Sequence, residues 1–297
     1  MGMIRRRLPL PALPLLGLLL WVPIRAQADD GYEKEARVLV VTNWNSDCDG
    51  SQRNSWDNMV YAWYNRITDD LPAPFGHGAD AWTRSGSQTN SYIVDSYFVD
   101  ESGYTWGQDD SFVDNADALM VGLHGLDSSD DHRWCGRVRV DEPGSGNCNA
   151  NQGHIELGDD DLEFLLLSSC NSMDRDDWWP NWNSSFDGLH QVDGFHGLMW
   201  INSSYVGRYQ GFASDAFWIS IADAWLDNLY IHHANNSHDQ CPVARNVGTS
   251  GGNSLSRMNS ERFNHVYSDP PRLGSARNHR VRYIKGCDPK GKGALPS

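Results

Sequence analysis

Beyond its first 28 residues the sequence has no apolar run long enough to cross a bilayer, no internal repeat and no low-complexity block. A membrane-spanning mature chain and a repeat architecture are therefore not expected. Positive charge is scarce: 24 Lys and Arg face 39 Asp and Glu, a formal net charge of −15. Such an acidic surface repels nucleic-acid phosphates and anionic lipid, so neither nucleic acid nor a membrane is an expected partner. No Cys/His spacing resembles a zinc site, and the adjacent His232 and His233 would diverge on a helix.

What is present begins with an export signal. The opening MGMIRRRLPLPALPLLGLLLWVPIRAQADD has a basic start (Arg5, Arg6, Arg7), an apolar stretch punctuated by proline, and an Ala26-Gln27-Ala28 cleavage pattern. Residues 1–28 read as a signal peptide, which makes the expected location secreted or periplasmic. Loss of Arg5, Arg6, Arg7 and Arg25 takes the formal charge from −15 to −19. The remaining chain, about 270 residues, suits one large domain over 29–287, with 288–297 as a flexible tail. Nothing in the sequence fixes the oligomeric state.

Six cysteines in an exported chain suggest disulfides. Cys135 and Cys148 bracket a short Gly-containing segment that a bridge would close as a hairpin, and Cys241 with Cys287 would hold down the C-terminal segment. Cys48 and Cys170 then either pair or leave at least one thiol.

Apolar periodicity gives the coarse organisation. EARVLVVTNWN reads as a strand, SWDNMVYAWYNRITDDL as a helix, and SYIVDSYFV as a strand. DALMVGLHG and DDDLEFLLLSSCNSM read as buried strands flanking a hairpin insert at 132–157. FDGLHQV then suggests a helix, GLMWINS a strand, FASDAFWISIADAWLDNLYIHH one long helix, and VARNVG an edge strand. Buried strands alternating with helices indicate an α/β fold around a largely parallel sheet, whose chemistry collects at the carboxyl ends of the strands.

Asn43, His124 and Cys170 each fall at such an end. Of the three His-Gly pairs, at 77, 124 and 196, only His124-Gly125 follows an apolar run, and Cys170 alone among the cysteines does the same. If the two strands are neighbours, an imidazole and a thiol share one edge, and histidine is the usual partner that activates a thiol. The unobstructed N–H of Gly125 would join that of Cys170 as an oxyanion hole.

VGLHGLDSS and LLLSSCNSM resemble the two signature blocks of the caspase, legumain and gingipain clan of cysteine peptidases. The legumain branch is the closer likeness, since VVTNWN offers Asn43 for an asparagine that orients the histidine; Asn45 is the alternative. The resemblance spans about residues 36–205. It implies a caspase-like three-layer sandwich with a largely parallel central sheet, and a peptide or protein substrate. By the same resemblance Cys170 is the nucleophile, His124 the general acid and base, and Gly125 and Cys170 the oxyanion hole. The C-terminal half, including DGLHQVDGFHG and ADAWLDNLY, is similar to a bacterial family of exported proteins of unassigned function.

Two features depart from that pattern. Residue 169 is serine where many members have alanine. No specificity pocket is evident: Asp127, Asp130, Asp131, Asp174, Asp176 and Asp177 would favour a basic side chain or form a solvated face, and the nearby cations are Arg133 and Arg175.

Outside the dyad, Asn45, Asp47 and Asp49 imitate the first half of a calcium loop, but its twelfth position is Trp56 rather than an acid. No other cofactor is indicated. Thirteen tryptophans stand out. Trp218 and Trp225 are seven apart on the expected helix, which is core spacing. WWPNWNSSF is too polar for a core helix and offers Trp178 and Trp179, with Asp127, as substrate-binding residues. Two rivals to the peptidase follow: an inactive caspase-like binding module, and a glycan-binding or glycan-cleaving secreted protein.

Overall fold

The computed structural model describes residues 34–127, 133–141, 148–175, 181–272 and 274–297. Residues 1–28, read as a signal peptide, and the candidates Asp130, Asp131, Asp176, Asp177, Trp178 and Trp179 lie outside the described residues. The chain opens with β1 (Glu35–Val40) and α1 (Trp56–Ile67), and reaches β2 (Thr83–Thr89) through a loop. Next come β3 (Ala118–Gly122), the short strands β4 (Gly125–Asp127), β5 (Trp134–Arg137) and β6 (Asn149–Asn151), then β7 (Phe164–Ser168) and β8 (Gln191–His196). Helices α2 (Val206–Asp215) and α3 (Ile221–Leu229), hairpin strands β9 (Ile231–Asn235) and β10 (His238–Gly248), α4 (Gly251–Ser260) and β11 (Asn278–Tyr283) complete it.

The main sheet runs β2-β1-β3-β7-β8-β10-β11, with β9 on β10. The first four pairings along that order are parallel, whereas β10 runs antiparallel to β8, β9 and β11. Every residue of β3 and β7 is buried. A strand buried on both faces needs cover on both, which is why these two read as unbroken apolar runs. Two groups of elements flank the sheet. Helices α1 to α4 pack each on the next, while β6 and the 3-10 turns at Asp95–Phe98 and Asp109–Ser111 form a second group. The fold is thus α/β with a mostly parallel central sheet flanked by helices.

Several elements differ from their sequence reading. SYIVDSYFV is not a strand: Ile93, Val94, Asp95, Ser96, Tyr97 and Phe98 are all buried, and four of these residues coil into a 3-10 turn. The strand beside β1 is instead TRSGSQT, a polar edge strand with no apolar signal. FDGLHQV leads into β8, whose buried Gln191 and Asp193 side chains lie on one strand face and bond each other at 2.9 Å, so polar residues sit inside the sheet. GLMWINS is irregular, and VARNVG lies inside the sheet because β11 covers it.

The long helix read at 212–233 is broken. Ser220 is extended and its Oγ accepts the Asp223 N–H at 3.1 Å, capping α3 as a separate helix. Trp225 is fully buried as expected, but Trp218 falls in the break and is 68% exposed.

The tail at 288–297 is packed rather than flexible. Leu295 is buried, Leu198 N–H donates to the Lys290 carbonyl at 3.1 Å, and Lys292 Nζ lies 2.6 Å from Asp174 Oδ2. Cys241 pairs with Cys287 as expected. The other bridge joins Cys48 to Cys148, so Cys135 remains a thiol in the middle strand of the small sheet and Cys170 remains a thiol at the end of β7.

Candidate functional site

The register between β3 and β7 pairs Gly122 with Ser168, an offset of 46 residues. His124 and Cys170 have the same offset, so each lies two residues past the last paired position of its strand. They stand side by side at the carboxyl edge of the sheet, on neighbouring parallel strands.

Gly125 is what lets the strand ends meet. A Cβ built on it would fall 1.8 Å from the Cys170 carbonyl oxygen and 2.5 Å from Ser169 Oγ. Only glycine permits that approach. The two serines before Cys170 anchor indoles: Ser168 Oγ accepts from Trp56 Nε1 at 2.9 Å, and Ser169 Oγ from Trp134 Nε1 at 3.0 Å. The serine at 169 is thus a buried acceptor with a partner.

The His124 ring is held on three sides. Trp44 stacks on it with centroids 4.5 Å apart, Trp56 meets it edge-on at 5.6 Å, and Nε2 lies 2.9 Å from the Ser51 carbonyl. A carbonyl can only accept, so Nε2 carries the proton and a neutral ring has its lone pair on Nδ1. Burial holds the ring below its ordinary pKa; the Ser51 carbonyl raises it, and the charges of Arg53 and Arg137 lower it further.

Asn43 does not orient this ring. Residue 43 is exposed, its N–H donates to Asn90 Oδ1 at 2.9 Å, and the hydrogen bond to the His124 ring comes from Ser51 instead. The alternative, Asn45, is tied through its N–H to the Arg139 carbonyl and serves no better. The orienting group is the main-chain oxygen of Ser51, on a loop pinned by the Cys48–Cys148 bridge.

Cys170 is half-buried. Met199 N–H points at Sγ from 3.4 Å, and Sγ lies 3.7 Å from the Met199 carbonyl. Burial pushes the thiol up from its usual pKa, against the downward pull of the Met199 N–H and the Arg53 charge. No hydrogen bond joins Sγ to the His124 ring. The resting pair is a thiol and a neutral imidazole, not an ion pair.

Beside the histidine opens a cleft of about 250 Å³ lined by Asp49, Gly50, Ser51, His124, Gly125, Leu126 and Arg137; Cys170 is not part of its lining. A larger cavity, about 530 Å³, lies around the C-terminal end of α1 and β2, remote from this edge, and its lining holds no nucleophile or histidine. Of the two, only the smaller is lined by His124 and Gly125.

The remaining candidates sort as follows. Asp127 ends β4. Asp174 is not a specificity acid: it is 1% exposed, accepts the Gly197 N–H at 2.7 Å, and is paired with Lys292 and with His196, 3.2 Å away. Burial alone would raise its pKa, but these partners bring it below the ordinary carboxylate value. Trp182 of WWPNWNSSF is buried, donates to the Ser172 carbonyl and stacks with Trp134, so it walls no cleft.

Sequence reasoning missed Arg53, whose charge reaches both His124 and Cys170, because the loop after β1 folds back over the edge. Asp47 and Asp49 are exposed on the same loop, and Asp47 accepts from its neighbour Ser46. Among the described residues, two other groups bring together three side chains of metal-ligating type. His232, His233 and Asp239 do so at the β9–β10 hairpin, where the two rings stack at 3.8 Å instead of diverging on a helix. Asp109, Asp110 and Asp114 do so before β3.

The fold and this edge define an α/β protein with a thiol and an imidazole on adjacent parallel strands. The chain belongs to the family described as Domain of unknown function (DUF6345), whose model matches residues 55–286. That segment contains His124, Gly125 and Cys170, and starts after Ser51 and Arg53. No curated relative matches the chain.

Proposed function

We propose that the protein is an exported cysteine peptidase of caspase-like architecture, with Cys170 and His124 as its dyad. The observation that carries this reading is the common register of the two residues at one sheet edge, with Cys170 outside any disulfide. A buried inert thiol would need no histidine at the matching position of the neighbouring strand, fixed with a lone pair free.

In the proposed reaction Cys170 Sγ bonds to the carbonyl carbon of a bound peptide, and the thiol proton passes to His124 Nδ1. The resulting oxyanion sits near the N–H groups of Gly125 and Cys170. Collapse breaks the C–N bond as His124 gives its proton to the leaving amine. Water, deprotonated by the same nitrogen, then cleaves the thioester and restores the thiol. Ser51 keeps the tautomer correct throughout. Catalytic partners in such sites tighten only when substrate binds, so the absence of a direct resting hydrogen bond is compatible with the role.

The cleft lining carries one cation, Arg137, and one acid, Asp49, and so sets no charge preference for the substrate by itself. The test is hydrolysis of a peptide library by the mature protein and by Cys170→Ala. Cleavage by the wild-type protein that is lost in the variant supports the reading. A library left intact by the wild-type protein under both reducing and non-reducing conditions would favour the inactive binding module.

A further inference from the structure

At the opposite edge of the sheet, in the turns that lead into β3 and β7, carboxylates crowd together below the surface. Asp109, Asp110 and Asp114 each offer an oxygen, and these atoms lie within 4.8 Å of one another. Asp109 and Asp114 are 0% exposed. Asp114 is anchored: Oδ2 accepts the Gly158 N–H at 2.9 Å and Oδ1 the Leu162 N–H at 2.7 Å. Asp109 is not. Its Oδ1 accepts the Glu101 N–H at 3.0 Å, but its buried Oδ2 accepts nothing.

The charges acting most strongly on Asp109 are themselves negative, from Asp110, Asp159 and Asp100, and Asp159 acts on Asp114 as well. Buried carboxylates are ordinarily paired with a cation or bound to a metal, because an isolated one is costly to desolvate. Here the unsatisfied oxygen of a fully buried aspartate belongs to a group of like charges.

We infer that Asp109, Asp110 and Asp114 bind a calcium ion that stiffens the turn before β3, whose Asp114 in turn accepts N–H groups of the loop before β7. The three oxygens lie within 4.8 Å of one another, inside the roughly 5 Å that separates two oxygens on opposite sides of a Ca²⁺ ion at bonds of about 2.3–2.6 Å, so one ion can reach all three. An all-carboxylate set does not suit zinc or copper, which favour nitrogen and sulfur. Magnesium holds its waters more firmly and suits a buried cluster less well. The site is separate from the Asn45, Asp47 and Asp49 loop and lies across the sheet from Cys170.

The experiment is calcium titration of the chelator-treated full chain, read by calorimetry and by thermal melting, with magnesium as the comparison ion. Saturating Ca²⁺ is expected to raise the melting temperature by about 5 °C or more, and Mg²⁺ by less than half as much. Asp109→Asn should abolish the calcium response while melting in chelator no lower than wild type, since it removes one of several like charges. Should that variant fail to fold, Asp110→Asn at the half-buried rim carries the same test. A wild-type protein giving no calcium heat and no thermal shift, or a folded variant keeping the full response, overturns the assignment.

Discussion

Gly125 approaches the Cys170 main chain so closely that a Cβ would sit 1.8 Å from the Cys170 carbonyl oxygen. The contact locks the residue after His124 onto the residue proposed as nucleophile, and so fixes the spacing of the dyad. Gly125→Ala forces the ends of β3 and β7 apart. Its expected cost is about 3 kcal/mol or more, at the upper end for overpacking. Gly207→Ala in α2, where a Cβ meets nothing within 4 Å, should instead leave stability unchanged or raise it by about 0.5–1 kcal/mol. Denaturant melts of the two variants check the contrast.

Because burial raises the Cys170 pKa and lowers that of His124, the resting site holds little thiolate at neutral pH. Alkylation of Cys170 by iodoacetamide should therefore accelerate about tenfold per pH unit through neutrality and beyond pH 9, with no plateau near pH 6–7. The sign follows directly: a raised thiol pKa postpones the reactive form to higher pH. A rate that is flat from pH 5 to 8 would mean a preformed thiolate and imidazolium pair.

The Cys48–Cys148 bridge closes a separation of 100 residues and pins the loop that carries Ser51 and Trp44. Replacing both cysteines with serine should cost about 4–5 kcal/mol in the chain-entropy account, or about 10 °C in melting temperature. It should also slow reaction of Cys170 with a peptide-like electrophile, because the His124 ring loses its fixed acceptor. Rate measurement at a temperature where both proteins are folded separates the two effects. An unchanged rate would show that Ser51 does not position the ring.

Much of the frame is legible in the sequence for a simple reason. β3 and β7 are interior strands whose complete burial demands unbroken apolar runs, β1 is apolar and buried over residues 38–40, and the register then follows from matching the strand ends. The parts that resist reading carry no such signature. β2 is a polar edge strand, and β8 hides a paired Gln191 and Asp193 in its interior. A tail rich in Gly, Lys and Pro looks frayed until Lys292 is seen against buried Asp174. The break before α3 does have a signal, Ser220 three residues ahead of Asp223, masked by apolar residues on both sides. At the site, side-chain chemistry pointed to His124 and Cys170, whereas the group that orients the ring is a main-chain carbonyl, which no residue type announces.

The most direct measurement is covalent labelling of the mature protein, in mild reductant, with an electrophilic peptide-like probe. The modified residue is mapped by mass spectrometry, and His124→Ala serves as the comparison. Selective modification of Cys170 over Cys135, falling at least tenfold when the imidazole is removed, is the result expected of an activated nucleophile. Failure of Cys170 to react, or equal labelling with and without His124, would contradict the dyad.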